Sequence, residues 1–210
     1  MTTWAVSGGV EGSNATVNTL ALNSQNEVLI GGYFSKIGGQ TRWMLGSVKS
    51  NGDLGSWYPT SGFSGVTVRA MALNKTTGTL YMGGDYSSLS GQTRKNLSAV
   101  TSSGVISSWY PANGVVGGVV NAVDVNQSTG EVYIAGNFTQ VDGLNRFYAA
   151  SITSGGVVTS WNPNPYTSGS VKAISVDQNS GNIYLGGSFN VFGGKARSNF
   201  VIVKPSGDTQ

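Results

Sequence analysis

The 210-residue chain contains no cysteine and no histidine. Those absences exclude Ser-His-Asp and Cys-His catalysis, thiolate zinc sites and a disulfide framework. Charge is scarce as well. Only 10% of residues are charged, against about 25% in an ordinary globular chain. The 12 basic and 9 acidic residues are scattered singly, for a net charge of +3. No lysine/arginine run marks a nucleic-acid patch, so nucleic acid is not expected as a partner. No apolar stretch approaches the roughly 20 residues of a membrane span, which speaks against membrane insertion. Met1-Thr2-Thr3-Trp4 has neither the basic start nor the apolar region of a signal peptide. Export would therefore need a signal already removed or another route, and a virion part would need none.

What the chain has in excess is glycine, 32 residues, roughly twice the usual share. Aromatics make up 10%, unlike a disordered chain, and they recur in order. Trp57-Tyr58-Pro59, Trp109-Tyr110-Pro111 and Trp161-Asn162-Pro163 follow one another at 52 residues, with Trp4 lying 53 before the first. Leu29–Phe34, Tyr81–Tyr86, Tyr133–Phe138 and Tyr184–Phe189 align at the same period, as do Arg42, Arg94, Arg146 and Arg197. Agreement of these registers along the whole chain is the signature of a repeat architecture. One domain over 1–210 follows, with repeats at about 4–56, 57–108, 109–160 and 161–210.

Each unit reads strand, turn, strand, loop, strand, turn, strand. In the second repeat the strands are Val68–Leu73, Thr79–Tyr86, Leu97–Val100 and Val105–Tyr110, with turns at Asn74–Gly78 and Ser102–Gly104. The Gly-Gly pair within the second strand allows a bulge or a close backbone approach. No sustained 3.6-residue apolar period predicts a helix. Four short antiparallel strands per unit of about 50 residues describe a blade, so the fold expected is an all-β, four-bladed β-propeller. The chain starts on a fourth strand and its last repeat lacks one. The strand at Trp4 is therefore expected to pair with the strand around Ile202 and close the ring. Strand exchange with a second chain, giving a larger ring or a filament, is the alternative.

The pattern Gly31-Gly32-Tyr33-Phe34, Gly38-Gly39, Arg42, Asn51-Gly52 and Trp57-Tyr58-Pro59 resembles the delta-sixty-type β-propeller repeats of bacterial and phage-associated surface proteins. The resemblance covers nearly the whole chain, with Trp4-Ala5-Val6 departing by lacking the proline. It implies an extracellular, cell-surface or virion binding module without catalytic activity. Fold alone does not imply function.

The candidate site residues follow from two kinds of column. The repeated tryptophans read as wedges between blades, each N–H on a carbonyl, rather than as a sugar platform. The arginines, with no acidic column to meet, are expected to bridge backbone carbonyls between blades; the functional alternative is an anion-binding face. Trp43 stands where other repeats have Lys95, Phe147 and Ser198. A residue that diverges among repeats beside a long loop is a better candidate for partner contact. On that logic Trp43, Phe63, Phe147, Tyr166 and Phe192 are candidate contacts, with Arg42, Arg94, Arg146 and Arg197 behind them. They belong to the side carrying the second-to-third and fourth-to-first connections. The opposite side, with tight turns such as Thr76-Thr77-Gly78, is expected to have little room for a pocket.

No enzyme is expected. A sialidase turn would need an aspartate where Gly52 stands, and the acids are too dispersed for a glycosidase pair. No repeated pattern supports calcium, and no phosphate loop precedes a helix, so neither metal nor cofactor is expected. Two function classes remain. The first is a binding or adhesion module for a glycan or surface protein. The second is a structural building block of a phage fibre, appendage or filament that contacts copies of itself.

Overall fold

A computed structural model describes residues 6, 8–59, 63–164 and 169–210. Its described residues form only strands, turns and irregular segments, with no helix; none, therefore, crosses a membrane as a helix. Each repeat builds one antiparallel sheet from its first three strands. The first holds Thr16–Leu22, Val28–Tyr33 and Leu45–Val48, and the second Phe63–Leu73, Leu80–Leu89 and Leu97–Val100. The third holds Val120–Val125, Val132–Gly136 and Ala149–Ile152, and the fourth Ser170–Val176, Ile183–Ser188 and Phe200–Val203.

The expected fourth strand is reduced to a single bridge in each repeat: Leu54 to Val48, Ile106 to Val100, Val158 to Ile152 and Thr209 to Val203. The residues themselves explain the shortening. The Trp109 N–H turns to the Ser107 hydroxyl and the Trp161 N–H to the Thr159 hydroxyl, each at 3.1 Å. The proline two residues on has no N–H to give a ladder.

Turn chemistry is repeated with the strands. The Asn74 side chain accepts the N–H groups of Thr76 and Thr77, and Asn126 those of Ser128 and Thr129, which fixes the first hairpin turn. The glycine that ends each Gly-Gly pair, or Ala135-Gly136 in the third repeat, faces the bulge of its partner strand. A Cβ at Gly32, Gly84, Gly136 or Gly187 would collide with the carbonyl oxygen of Thr16, Thr67, Val119 or Ser170.

Successive sheets stack through their first strands: Thr16–Leu22 on Phe63–Leu73, that strand on Val120–Val125, and that on Ser170–Val176. Three apolar clusters fill the junctions, holding Trp57, Trp109 and Trp161 in order. The indole of Trp109 meets Tyr81 edge-on at 4.7 Å and donates to Thr153 O at 2.8 Å. Trp161 meets Tyr133 at 5.3 Å and donates to Lys204 O at 3.2 Å. Each tryptophan thus pins its own repeat to the next. Polar clamps add to this: Asn18 donates to Val68 O, Asn121 to Val171 O, and Asp124 accepts from Val176 N.

Beside the strand around Ile202, where closure is expected, the chain makes a local pairing. The Lys204–Asp208 turn folds the chain back, and Gln210 N–H donates to Ile202 O at 2.9 Å. The other three repeats return in the same way, through Gly55 to Ser47, Ser107 to Ala99 and Thr159 to Ser151. Trp4 lies outside the described residues. Among those described, no packing of the kind that joins neighbouring repeats joins the fourth to the first. The exposures agree. Leu20, whose counterparts Met71 and Val123 are buried, is 61% exposed. Phe200, in register with buried Leu45, Leu97 and Ala149, is 55% exposed.

Candidate functional site on the long-connection side

On one side, each repeat's second-to-third connection forms a short hairpin, and in the first three repeats it joins the segment leading into that repeat. Lys36–Ile37 pairs with Val10–Glu11, Ser88–Leu89 with Phe63–Ser64, and Gln140–Val141 with Val115–Val116. The long connections therefore share one side, as expected. They are shaped by hydrogen bonding and are not loose.

Immediately after each hairpin stands a residue with positive φ: Met44 (60°), Asn96 (61°), Tyr148 (70°) and Asn199 (66°). Asparagine adopts this conformation at little cost, whereas methionine and tyrosine are strained in it. Both backbone groups of each are engaged. Met44 N–H donates to Phe34 O and Met44 O accepts from Gly32 N, and the same pair of bonds recurs at Asn96, Tyr148 and Asn199. The strained residue is locked, and the residue before it is held in one place.

That preceding residue belongs to the divergent column Trp43, Lys95, Phe147 and Ser198. The Trp-Tyr-Pro segment fixes it further: Tyr58 Oη accepts the Trp43 N–H at 3.1 Å, and Tyr110 Oη the Lys95 N–H at 2.8 Å. The arginines hold those tyrosines in turn. The Arg42 guanidinium lies 4.9 Å from the Tyr58 ring centroid and that of Arg94 4.7 Å from Tyr110, in cation–π range. Burial pushes the Tyr110 phenol above its ordinary pKa.

The arginine column meets backbone carbonyls, but within its own repeat and not across to a neighbour. Arg94 reaches Ser107 O and Arg146 reaches Thr159 O, both in the returning segment, while Arg197 Nε donates to Gln210 O. Each also caps the carbonyl of the residue before it, Thr41, Thr93, Asn145 or Ala196. The reason is reach: the hairpin and the returning strand edge of one sheet lie side by side. Desolvation lowers the Arg146 pKa.

A second divergent column, Tyr33, Asp85, Asn137 and Ser188, ends the second strand beside the first. Recesses open where the two columns meet. In the first repeat Tyr33, Trp43, Ser13, Ser35 and Met44 border a recess of about 350 Å³. In the second, Asp85, Lys95, Ser87 and Asn96 border one of about 360 Å³. A third lies between Ser188 and Asn199 in the fourth repeat. The frame is constant and two side chains vary. Trp43 is 48% and Tyr33 41% exposed, so the first recess presents two aromatic faces among hydroxyl groups. Aromatic faces stack on the apolar faces of a sugar or side chain while nearby hydroxyls hydrogen-bond.

The other candidates divide. Phe192 is a correction: it is fully buried in the cluster between the third and fourth sheets, 5.3 Å from Phe189, and offers no surface to a partner. Its position within the hairpin turns it inward, as Val141, Leu89 and Ile37 are turned in the other repeats. Phe63 is half-buried and packs edge-on to Tyr86 at 5.0 Å, which makes it part of the support. Phe147 is half-buried beside Tyr148. Tyr166 lies outside the described residues. Tyr33, Asp85, Tyr58 and Tyr110 were not singled out as contacts or supports from sequence. The alignment that exposes the Trp43 column also exposes the divergence at Tyr33.

The tight-turn side also needs correction. A cavity of about 290 Å³ opens there between the first two sheets, because the side chain at one junction is smaller than its counterparts. Elsewhere on this side glutamines clamp neighbours: Gln127 Oε1 accepts from Lys75 N and Gln178 Oε1 from Gln127 N. Among the described residues no group of three or more acidic side chains could hold a metal.

Comparison with known proteins bears on the fold. Residues 127–158 match the model of a β-propeller family described as a domain of unknown function, DUF5122. No curated protein matches the sequence. Among solved structures, the extracellular domain of the proposed one component system BT4673 from B. thetaiotaomicron is similar at a TM-score of 0.50 and 15% identity. The match covers 96% of this chain and 28% of that one. Both similarities support a β-propeller type of repeat.

Proposed function

We propose that the chain is a set of four consecutive propeller blades acting as a non-catalytic binding module at an extracellular or particle surface. Its partner is a glycan or a surface protein, taken on the long-connection side at Tyr33 and Trp43. One observation carries this reading: two exposed aromatics from two divergent columns flank one recess, on a backbone held in the positive-φ region at Met44. Strain of this kind persists where the surroundings over-determine it, and it clusters at binding sites. The extracellular placement of the similar BT4673 domain agrees with the surface location. A glycan array probed with the wild-type chain and with Trp43→Ala tests it. Retained signal in the variant, or no signal for any glycan combined with no capture of a surface protein, would count against it.

A second reading, a building block contacting copies of itself, is favoured by exposed apolar side chains on the two end faces, the first beside the cluster that Val6 and Val10 form over Ile30 and Val48. Leu20 and Leu22 of the first sheet and Phe200 of the fourth occupy positions that the internal junctions bury. Joined head to tail, such chains give a larger ring where the rotation between them closes and a filament where it does not. Light scattering of wild type against Leu20→Glu and Phe200→Glu separates the readings. A monomeric wild type at high concentration removes the second.

A further inference from the structure

We infer that the cavity on the tight-turn side is a binding site for a small phenol bearing a carboxylate. Leu29, Tyr81, Tyr133 and Tyr184 occupy one register position, opposite Ser47, Ala99, Ser151 and Ile202 of the third strand. In the second and third repeats the tyrosine ring stands edge-on to the tryptophan of its own repeat, at 4.7 and 5.3 Å. The first repeat has leucine there, and among the described residues no ring is paired with Trp57.

The consequence is visible in the walls. Between the second and third sheets, the corresponding depression is bordered by Tyr81, Trp109 and hydroxyl side chains. The aliphatic residues Val125 and Val132 do not border it. Between the first and second sheets their counterparts Leu73 and Leu80 line the cavity directly, with Leu29 and Trp57. An apolar floor and an indole wall stand where the fold elsewhere supplies a phenol ring. A ligand ring placed there repeats the edge-to-face pair that the protein makes twice by itself.

The rim selects the substituent. Lys75 is the charged residue among those lining the cavity, and Asn23 and Ser102 are polar neighbours. Glu27 stands behind the rim, its carboxylate taken up by Asn23 Nδ2 at 3.3 Å, so Lys75, which lines the cavity itself, favours an anion over a cation. At about 290 Å³ the space suits a one-ring molecule. This site lies on the opposite side from Tyr33 and Trp43 and does not depend on the function proposed for them.

The test uses 4-hydroxyphenylacetate and p-cresol as probes, with binding read by calorimetry and by saturation-transfer NMR. The expected result is one saturable site for 4-hydroxyphenylacetate on the wild-type chain. Lys75→Met should reduce its affinity to that of p-cresol. Leu29→Tyr places the ring in the chain itself; it should fold, keep or raise Tm, and weaken both probes by at least about tenfold. No saturable binding to wild type overturns the inference, as does undiminished binding to a folded Leu29→Tyr. Failure of Leu29→Tyr to fold overturns it too, since the argument requires a ring to fit there. Ser102→Asp, at an exposed position lining the cavity, gives an independent check: repulsion should weaken the carboxylate probe and leave p-cresol unchanged.

Discussion

Replacing Trp109 with alanine removes three contributions that the structure separates. The indole is 5% exposed in the cluster between the second and third sheets, and truncating a buried ring of this size costs about 3–5 kcal/mol. Within that figure, the edge-on pair with Tyr81 contributes about 0.5–1.5 kcal/mol. The bond from Nε1 to Thr153 O contributes about 1 kcal/mol; the carbonyl keeps a second donor, Gly156 N–H, so it is not stranded. Trp57 has leucine in place of the ring partner, so Trp57→Ala should cost less than Trp109→Ala by about the aromatic-pair value. Trp109→Phe should recover most of the loss. Guanidinium unfolding followed by far-UV circular dichroism, which does not depend on the removed chromophore, measures all three. A loss under about 1 kcal/mol for Trp109→Ala, or a greater loss at Trp57, would refute the view that these residues wedge neighbouring sheets together.

Two glycines in one column should behave oppositely. A Cβ at Gly83 would overlap Val120 of the next sheet, whereas at Gly186 the nearest atoms, Ala173 Cβ and Asn199 O, are 3.9 Å away, so Gly83→Ala should destabilise and Gly186→Ala should hold or raise Tm. If copies stack head to tail, Gly186→Ala should also weaken self-association, read by sedimentation. Burial pushes the phenols of Tyr81, Tyr86, Tyr110 and Tyr133 above their ordinary value of 10.0. The folded chain then keeps protons that the unfolded chain releases, so stability is intact below pH 10 and falls as pH rises beyond it. Absorbance at the tyrosinate band should show these phenols ionising together with loss of the circular dichroism signal; ionisation of all nine tyrosines before unfolding would contradict their burial.

Much of the architecture was legible because the repeat states the same physics four times. The third strand of the second repeat, Leu97–Val100, falls where the alternation predicts it, and Asn74–Gly78 is a side-chain-fixed turn. The tryptophan wedge was legible for the same reason: a residue present in every unit serves what every unit shares. The local return at Thr209–Gln210 along the edge of the last sheet was not, because the sequence shows no full fourth strand there. Phe192 was misread since divergence at one position does not give direction. Its neighbours in the column, Ile37, Leu89 and Val141, are all apolar and all buried, a regularity that a change from aliphatic to aromatic conceals. The recess at Tyr33 and Trp43 needed the structure, since only the fold brings those two columns side by side.

A constant frame with two divergent columns that carry recognition is the central claim. The direct measurement is a transfer of one pair onto the other's frame. Tyr33→Asp with Trp43→Lys gives the first repeat the side chains that the second already holds at Asp85 and Lys95. Binding of the glycan or surface protein identified for the wild-type chain should be lost, measured by surface plasmon resonance, while Tm stays within a degree or two, as for exposed substitutions costing about 0.5 kcal/mol or less. Unchanged affinity, or a melting temperature that collapses with the exchange, would contradict it.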